Sequence, residues 1–214
     1  MVGDQLPERR FFRMARYAMV INLDKCIGCN TCAVACKVEN HTGPDVFWCS
    51  VEYKEVGIYP LVSLQFLPRS CAHCANPPCV EVCPTGASFQ RQDGIVLINY
   101  DKCIGCKYCI IACPYGSRYY NKEIKGYFGV ELTPYEKLGY KQHQKGAVEK
   151  CNFCIHRVEK GEVPACVEAC PVEARYFGDL DDPSSAVSRL LVSKHAFQLL
   201  PEVGASPNLY YLRG

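Results

Sequence analysis

Four runs of cysteine carry the chemistry this sequence can do: Cys26, Cys29, Cys32 and Cys36; Cys71, Cys74, Cys79 and Cys83; Cys103, Cys106, Cys109 and Cys113; Cys151, Cys154, Cys166 and Cys170. The third run, CIGCKYCIIACP, has C-x2-C-x2-C-x3-C spacing followed by proline. That is the bacterial iron–sulfur run, in which three thiolates hold one cubane cluster and the fourth reaches to a second. Cysteines this close in sequence suit a shared metal centre better than disulfides between neighbours, whose geometry disfavours so short a span. Four runs of four supply the sixteen thiolates that four [4Fe-4S] clusters need, and leave one of the 17 cysteines over. The remaining one, Cys49, stands beside Trp48 in a β-prone stretch and reads as a buried free thiol. Dense thiols without spare histidines or carboxylates argue against a catalytic zinc site.

The rest of the composition narrows the setting. Across 214 residues, 24 Lys and Arg face 22 Asp and Glu, for a net charge of +2. That balance gives no footprint for nucleic acid. No apolar run approaches the ~20 residues that cross a bilayer as a helix. No Ser/His/Asp set, carboxylate pair or glycine-rich phosphate loop stands out. A cluster held by four thiolates has no open coordination position, so the expected chemistry is one-electron transfer and not catalysis within this chain.

The elements that must position the thiols are short. Residues 16–23, RYAMVINL, alternate as a strand that leads into the first run. Ala33–Asn40 has helical character and ends near Gly43-Pro44. Val46–Tyr53 and Leu61–Leu67 read as strands. Asp93-Gly94 marks a hairpin between the second and third runs. The connector from Pro114 to Lys150 is rich in tyrosine and lysine without a clear period: either a cover over a cluster or partner contact, or a solvated loop. Asp182-Pro183 before SSAVSRLLVSKH reads as an N-capped helix with proline at its first position, and Asn208–Leu212 as a last strand. Residues 1–15 form an N-terminal extension. Its Arg9-Arg10-Phe11-Phe12 loosely matches a twin-arginine signal but lacks the apolar stretch that should follow, and Met14 is an alternative start.

In a two-cluster ferredoxin fold the last cysteine of each run serves the other run's cluster. The short hairpin makes the second and third runs one natural pair and leaves the first and fourth to each other. Pairing first with second and third with fourth is the rival. Lys25, Lys102, Lys107, Lys150 and Arg157 adjoin cluster cysteines and can offset cluster charge, although a solvated lysine or arginine is the commoner case. His73, Lys107, His156 and Arg157 are the candidates for donors to sulfur.

From about Arg16 onward the chain resembles the four-cluster iron–sulfur electron-transfer subunits of molybdopterin oxidoreductases, the polysulfide, dimethyl sulfoxide, tetrathionate and arsenate reductases. The resemblance rests on CIGCNTCAVACK, CAHCANPPCVEVCPTGA, CIGCKYCIIACPYG, CNFCIHRVEKGEVPACVEACP and FGDLDDP. It implies the nested pairing: Cys26, Cys29, Cys32 and Cys170 on one cluster; Cys151, Cys154, Cys166 and Cys36 on the second; Cys71, Cys74, Cys79 and Cys113 on the third; Cys103, Cys106, Cys109 and Cys83 on the fourth. It implies an α+β fold of two nested ferredoxin-like modules related by a pseudo-two-fold, with long connecting loops: residues 16–60 with 145–195, and residues 61–144, followed by a tail over 196–214. Nitrate-reductase relatives carry tryptophan where this chain has Cys106, so all four clusters are expected to be of the four-iron type. The implied partners are a molybdenum or tungsten catalytic subunit facing the first and fourth runs and a membrane quinone-reactive subunit facing the other two. The implied setting is a peripheral membrane complex. Its expected side is periplasmic, through export with a signal-bearing partner, with the cytoplasmic side as the alternative. Other classes are an electron-transfer subunit of a hydrogenase or cytochrome nitrite reductase system, and a freestanding polyferredoxin.

Overall fold

The computed structural model describes residues 15–129 and 131–213. Its elements run β1 (Tyr17–Asn22), α1 (Thr31–Asn40), β2 (Cys49–Ile58), β3 (Leu61–Ser70), α2 (Pro78–Glu81), β4 (Ser88–Gln90), β5 (Val96–Ile98), α3 (Tyr108–Ile111), β6 (Tyr119–Tyr120), α4 (Pro134–Gly139), β7 (Val148–Glu149), α5 (Ile155–Val158), α6 (Ala165–Glu168), β8 (Arg175–Asp179), α7 (Ala186–Ser193), β9 (Ala196–Phe197) and β10 (Leu209–Leu212). The N-terminal extension, apart from Ala15, lies outside the described residues.

β1 is the centre of the main sheet, whose order is β8-β1-β10-β9. It pairs antiparallel with β8 and parallel with β10. Ala18, Met19, Val20 and Ile21 are fully buried because both faces of the strand are covered. Met19 and Ile21 join the core that contains cysteines of the first, second and fourth runs, while Val20 packs with Val187 of α7 and Leu212 of β10. Strand periodicity decides this division, since successive side chains point to opposite faces.

β2 and β3 form a hairpin of ten paired positions, from Cys49 opposite Ser70 to Ile58 opposite Leu61. Against the expected strands, β2 begins three residues later and runs on to Ile58 at the turn, whereas β3 begins at Leu61 as expected and runs on to Ser70 at the base of the hairpin. Cys49 and Ser70 are buried at its base, whereas Ile58, Tyr59 and Leu61 at its tip are more than four-fifths exposed. The Asp93-Gly94 hairpin forms as β4 and β5, with Gly94 at φ 83°.

Two local features differ from the sequence reading. α7 begins at Ala186, with Ser185 as its N-cap residue, not at Pro183. The Asp182 side chain instead accepts from Ser184 N at 2.8 Å and from its hydroxyl at 2.7 Å, a local turn that competes with helix initiation. The second connector is not a bare loop. Thr133 and Glu136 close a capping box around Pro134 and start α4. The Tyr135 hydroxyl donates to Val38 O of α1 at 2.8 Å, and Tyr127 to Thr42 O at 3.0 Å, so two of the connector's tyrosines pin it to the first run's helix. Among the described residues no helix is long and apolar enough to cross a membrane.

Candidate metal centres

In all four runs the backbone turns left-handed two residues after the first cysteine: Gly28 at φ 70°, His73 at 41°, Gly105 at 66° and Phe153 at 56°. The third cysteine of each run then sits on a short helix and is buried: Cys32 in α1, Cys79 in α2, Cys109 in α3 and Cys166 in α6. A sharp turn followed by a helical turn folds successive thiols back toward one another. In three runs the helix ends before the fourth cysteine and proline can follow it; α1 continues through Cys36 to Asn40. Proline at position 37 would remove an N–H and clash inside that helix, which accounts for Lys37. Lys37 Nζ instead donates to Gly43 O and Val46 O, each at 2.9 Å.

Gly105 is required for more than its φ. A Cβ there would stand 2.1 Å from the main-chain oxygen of Gly146, which has little freedom to withdraw. Gly105→Ala combines that clash with left-handed strain of roughly 1–3 kcal/mol. We expect lower iron content per chain and lower thermal stability in this variant. Gly116→Ala, where φ is 58° and nothing lies within 4 Å, should carry the strain alone and keep its iron.

The thiols gather in four groups. Cys26, Cys29, Cys32 and Cys170 line one cavity, Cys71, Cys74, Cys79 and Cys113 another, and Cys83, Cys103, Cys106 and Cys109 a third. Cys36 has Cys151, Cys166 and Cys154 as its close charged neighbours, and Asn40 Nδ2 lies 3.6 Å from the sulfurs of both Cys36 and Cys154. Among the described residues no three or more His, Cys, Asp or Glu side chains converge as a single-ion site. Burial pushes the Cys74 thiol up to about 12 and raises Cys36 and Cys151 strongly. Iron binding therefore has to displace protons from buried thiols.

The counter-charge for such thiolates is present and buried. Arg118 Nη2 donates to Cys79 Sγ at 2.8 Å and Nη1 to Ser88 Oγ at 2.8 Å, and the guanidinium also meets Cys109. Arg175 Nη1 lies 3.5 Å from Cys49 Sγ and Nη2 3.3 Å from Met19 Sδ, with Cys32 and Cys166 beside it. Lys150 Nζ donates to Val96 O and, at 2.8 Å, to Cys151 O, so this lysine is buried and not solvated. Among the described residues none of these three cations is paired with a carboxylate. A buried unpaired cation is strongly unfavourable, so the site calls for bound negative charge. Thiolate-ligated iron–sulfur clusters supply it and match the donor set.

Cys49 is buried, as read from the sequence, but its surroundings are specific. It lies against Cys166 and Cys32; these contacts hold its own proton in place and, with Arg175, keep the other two thiols below their ordinary range.

The residues singled out in the runs as donors to sulfur have other partners. His156 Nε2 meets Glu39 Oε1 at 2.6 Å. Arg157 pairs with Glu39 at 3.2 Å and also with Glu162 and Glu168, which ties α5 to α1 and α6. Lys107 is exposed, with Nζ 4.0 Å from the centroid of Tyr120. Lys102 is exposed as well, and Lys25 Nζ reaches the Tyr176 hydroxyl at 3.0 Å. His73 is fully buried, accepts at Nδ1 from Val96 N at 3.0 Å, and stacks on Phe153 at 3.7 Å between centroids. The side-chain nitrogens that do approach sulfur, on Arg118, Arg175 and Asn40, fall outside the sequence reading. For the arginines a signal was available: CPYGSRYY and CPVEARYF place arginine five residues after Cys113 and after Cys170.

A 4Fe-4S dicluster domain matches residues 25–87, and a second 4Fe-4S dicluster domain matches residues 62–129 and 125–180. Among similar proteins, a selenate reductase subunit of Mesobacillus selenatarsenatis is 43% identical over 92% of this chain and 72% of its own. A tetrathionate reductase subunit of Salmonella typhimurium is 42% identical, again over 92% and 72%. The arsenate respiratory reductase iron-sulfur subunit of a Shewanella species is 40% identical over 92% of this chain and 96% of its own.

Proposed function

We propose a function that starts from one fact: this chain belongs to the 4Fe-4S dicluster family, alongside subunits of selenate, arsenate and tetrathionate reductases. It is an electron-transfer subunit of an oxidoreductase complex, and in our reading it carries four [4Fe-4S] clusters. Their ligands are Cys26, Cys29, Cys32 and Cys170; Cys151, Cys154, Cys166 and Cys36; Cys71, Cys74, Cys79 and Cys113; and Cys103, Cys106, Cys109 and Cys83. The three four-cysteine cavities and the neighbours of Cys36 support these sets. Clusters bound there supply reversible one-electron transfer and leave no open position for substrate.

The observation that carries this reading is a linear order among the thiol groups. Arg175 joins Cys32 of the first set to Cys166 of the second. Cys151 of the second set is a near neighbour of Cys71 of the third. Arg118 joins Cys79 of the third set to Cys109 of the fourth. All four thiols of the second set and three of the third are buried, whereas each end set has one exposed cysteine, Cys29 or Cys106. Exposed apolar side chains stand near both, Ile27 and Val34 at one end and Ile104 and Ile111 at the other. A buried row with exposed, apolar-rimmed ends suits receipt of an electron from one protein and delivery to another.

On this reading the chain is two nested modules with a pseudo-two-fold relation, residues 16–60 with 145–195 and residues 61–144, and a tail from 196. The Cys29 end serves a molybdopterin catalytic subunit, and the Cys106 end serves a membrane quinone-reactive subunit on the periplasmic side. The exposed apolar hairpin tip around Ile58 and Leu61 favours fixed partners over a freely diffusing polyferredoxin. Purification from the native host under anaerobic conditions tests this. The chain should come away with a molybdenum- or tungsten-containing subunit and about sixteen irons and sixteen acid-labile sulfides per copy. Zinc without sulfide would overturn the cofactor reading, and isolation of a fully loaded chain on its own would overturn the partner reading.

A further inference from the structure

We propose that Arg118 and Arg175 are paired positioning residues, each placing its charge between thiol ligands of both clusters in its module and raising the potential of both. The inference rests on the sixteen-ligand reading above. The two arginines hold equivalent places: each lies five residues after a run's last cysteine and is followed by tyrosine. Arg118 lies between Cys79 and Cys109, which belong to different clusters of the inner pair. Arg175 lies between Cys32 and Cys166, which belong to different clusters of the outer pair. Both are at most 4% exposed.

The geometry leaves these charges little else to do. Ser88 Oγ takes one Arg118 amino group at 2.8 Å, and the other is directed at Cys79 Sγ at the same distance. Arg175 lies 3.5 Å from Cys49 Sγ and 3.3 Å from Met19 Sδ, with Cys32 and Cys166 beside it, and its Nε has no hydrogen-bond partner. A carboxylate partner is absent for both among the described residues, so the compensating negative charge has to come from the thiolates. A cluster that accepts one electron gains one negative charge. A fixed cation beside its ligands stabilises that reduced form and moves the potential upward, as do hydrogen bonds to cluster sulfur. Because one guanidinium lies beside ligands of both members of a pair, it moves both together. It therefore lifts a module relative to its neighbour while changing the step within the module less.

The test is a redox titration followed by electron paramagnetic resonance on the assembled complex. Arg118→Gln should shift the potentials of both inner clusters to more negative values and leave the outer pair unmoved, with iron and sulfide content retained. Arg175→Gln should do the reverse. Ser88→Ala, which removes the hydroxyl that orients Arg118 while keeping every cysteine and both arginines, should shift the same inner pair in the same direction by less. It carries the test if Arg118→Gln fails to load its clusters. Unchanged inner potentials in a loaded variant, or movement of only one inner cluster, would overturn the inference and leave the ligand reading standing. A parent complex lacking the sixteen irons and sulfides would instead overturn the ligand reading itself.

Discussion

Serine in place of Cys106 is expected to lower iron from about sixteen to about twelve per chain if the cluster is lost, or to about fifteen if it is kept in a three-iron form, and to stop electron exchange with quinone. Cys106 is an exposed thiol in the end group with Cys83, Cys103 and Cys109, and its neighbours Gly105 and Lys107 both hold left-handed backbone that aims it. A serine hydroxyl is a harder and less readily ionised ligand than a thiol, so the cubane there is lost or reduced to a three-iron form. The other three groups keep all their thiols, and an artificial dye that accepts or donates at the catalytic partner should still support turnover. Iron and sulfide analysis, paramagnetic resonance and the two activity assays read the result together. Survival of all four cluster signals and of quinone-linked activity in Cys106→Ser would sink the assignment of this thiol.

The second large effect is expected at Phe153. This ring is fully buried, stacked on His73 and set edge-on to Phe177 at 5.2 Å. His73 and Phe153 are the left-handed residues of the second and fourth runs, and their rings meet where Cys71 approaches Cys151. One stacked pair thus holds two strained turns and the junction between two thiol groups. Truncation to alanine should cost about 3–5 kcal/mol, the usual range for a buried phenylalanine. Phe153→Gly should be less damaging than Phe153→Ala, the reverse of the ordinary order, because glycine takes φ 56° without a Cβ penalty. Thermal denaturation of the complex, followed by cluster absorbance, ranks the variants. An alanine variant as stable as the parent would show that the stack contributes little.

What was legible in the sequence was local in origin. Cysteine spacing, the Asp93-Gly94 turn and the alternation of residues 16–23 act within a few residues, and the corresponding elements form. The family resemblance was legible for the same reason, since four runs of different gap length in fixed order specify it closely. The buried surroundings of the thiols were not. Lys150 looks like any charged residue beside a cysteine, yet its ammonium is drawn inside by carbonyls of Val96 and Cys151. His156 and Arg157 look like sulfur donors by position, yet Glu39, well over a hundred residues away, takes both. Arg118 and Arg175 reach sulfur through tertiary placement, although the repeated arginine after Cys113 and Cys170 was there to be noticed; Asn40 meets Cys36 by its i,i+4 place on α1 and Cys154 only through the fold. The capping box at Thr133 and Glu136 was also legible. It was obscured by the aperiodic tyrosines around it, whose anchoring role depends on backbone carbonyls of a distant helix.

The parallel pairing of β1 with β10 sets a timetable for biosynthesis. Met19 to Asn22 leave the ribosome nearly two hundred residues ahead of their partners, Leu209 to Leu212. Domains fold as they emerge, at about 5–20 residues per second, so the stretch from Cys71 to Cys113 is complete while the central sheet still lacks three of its four strands. On the ligand sets proposed above, Cys36 likewise waits for Cys151, Cys154 and Cys166, and Cys26 for Cys170. The nascent protein can therefore be fitted with its inner cofactors before its outer ones, and a cell short of iron–sulfur donors would accumulate half-furnished chains of one kind only. On the same proposed sets, Cys26, Cys29 and Cys32 of such chains would stay open to oxidation while their inner sites were filled.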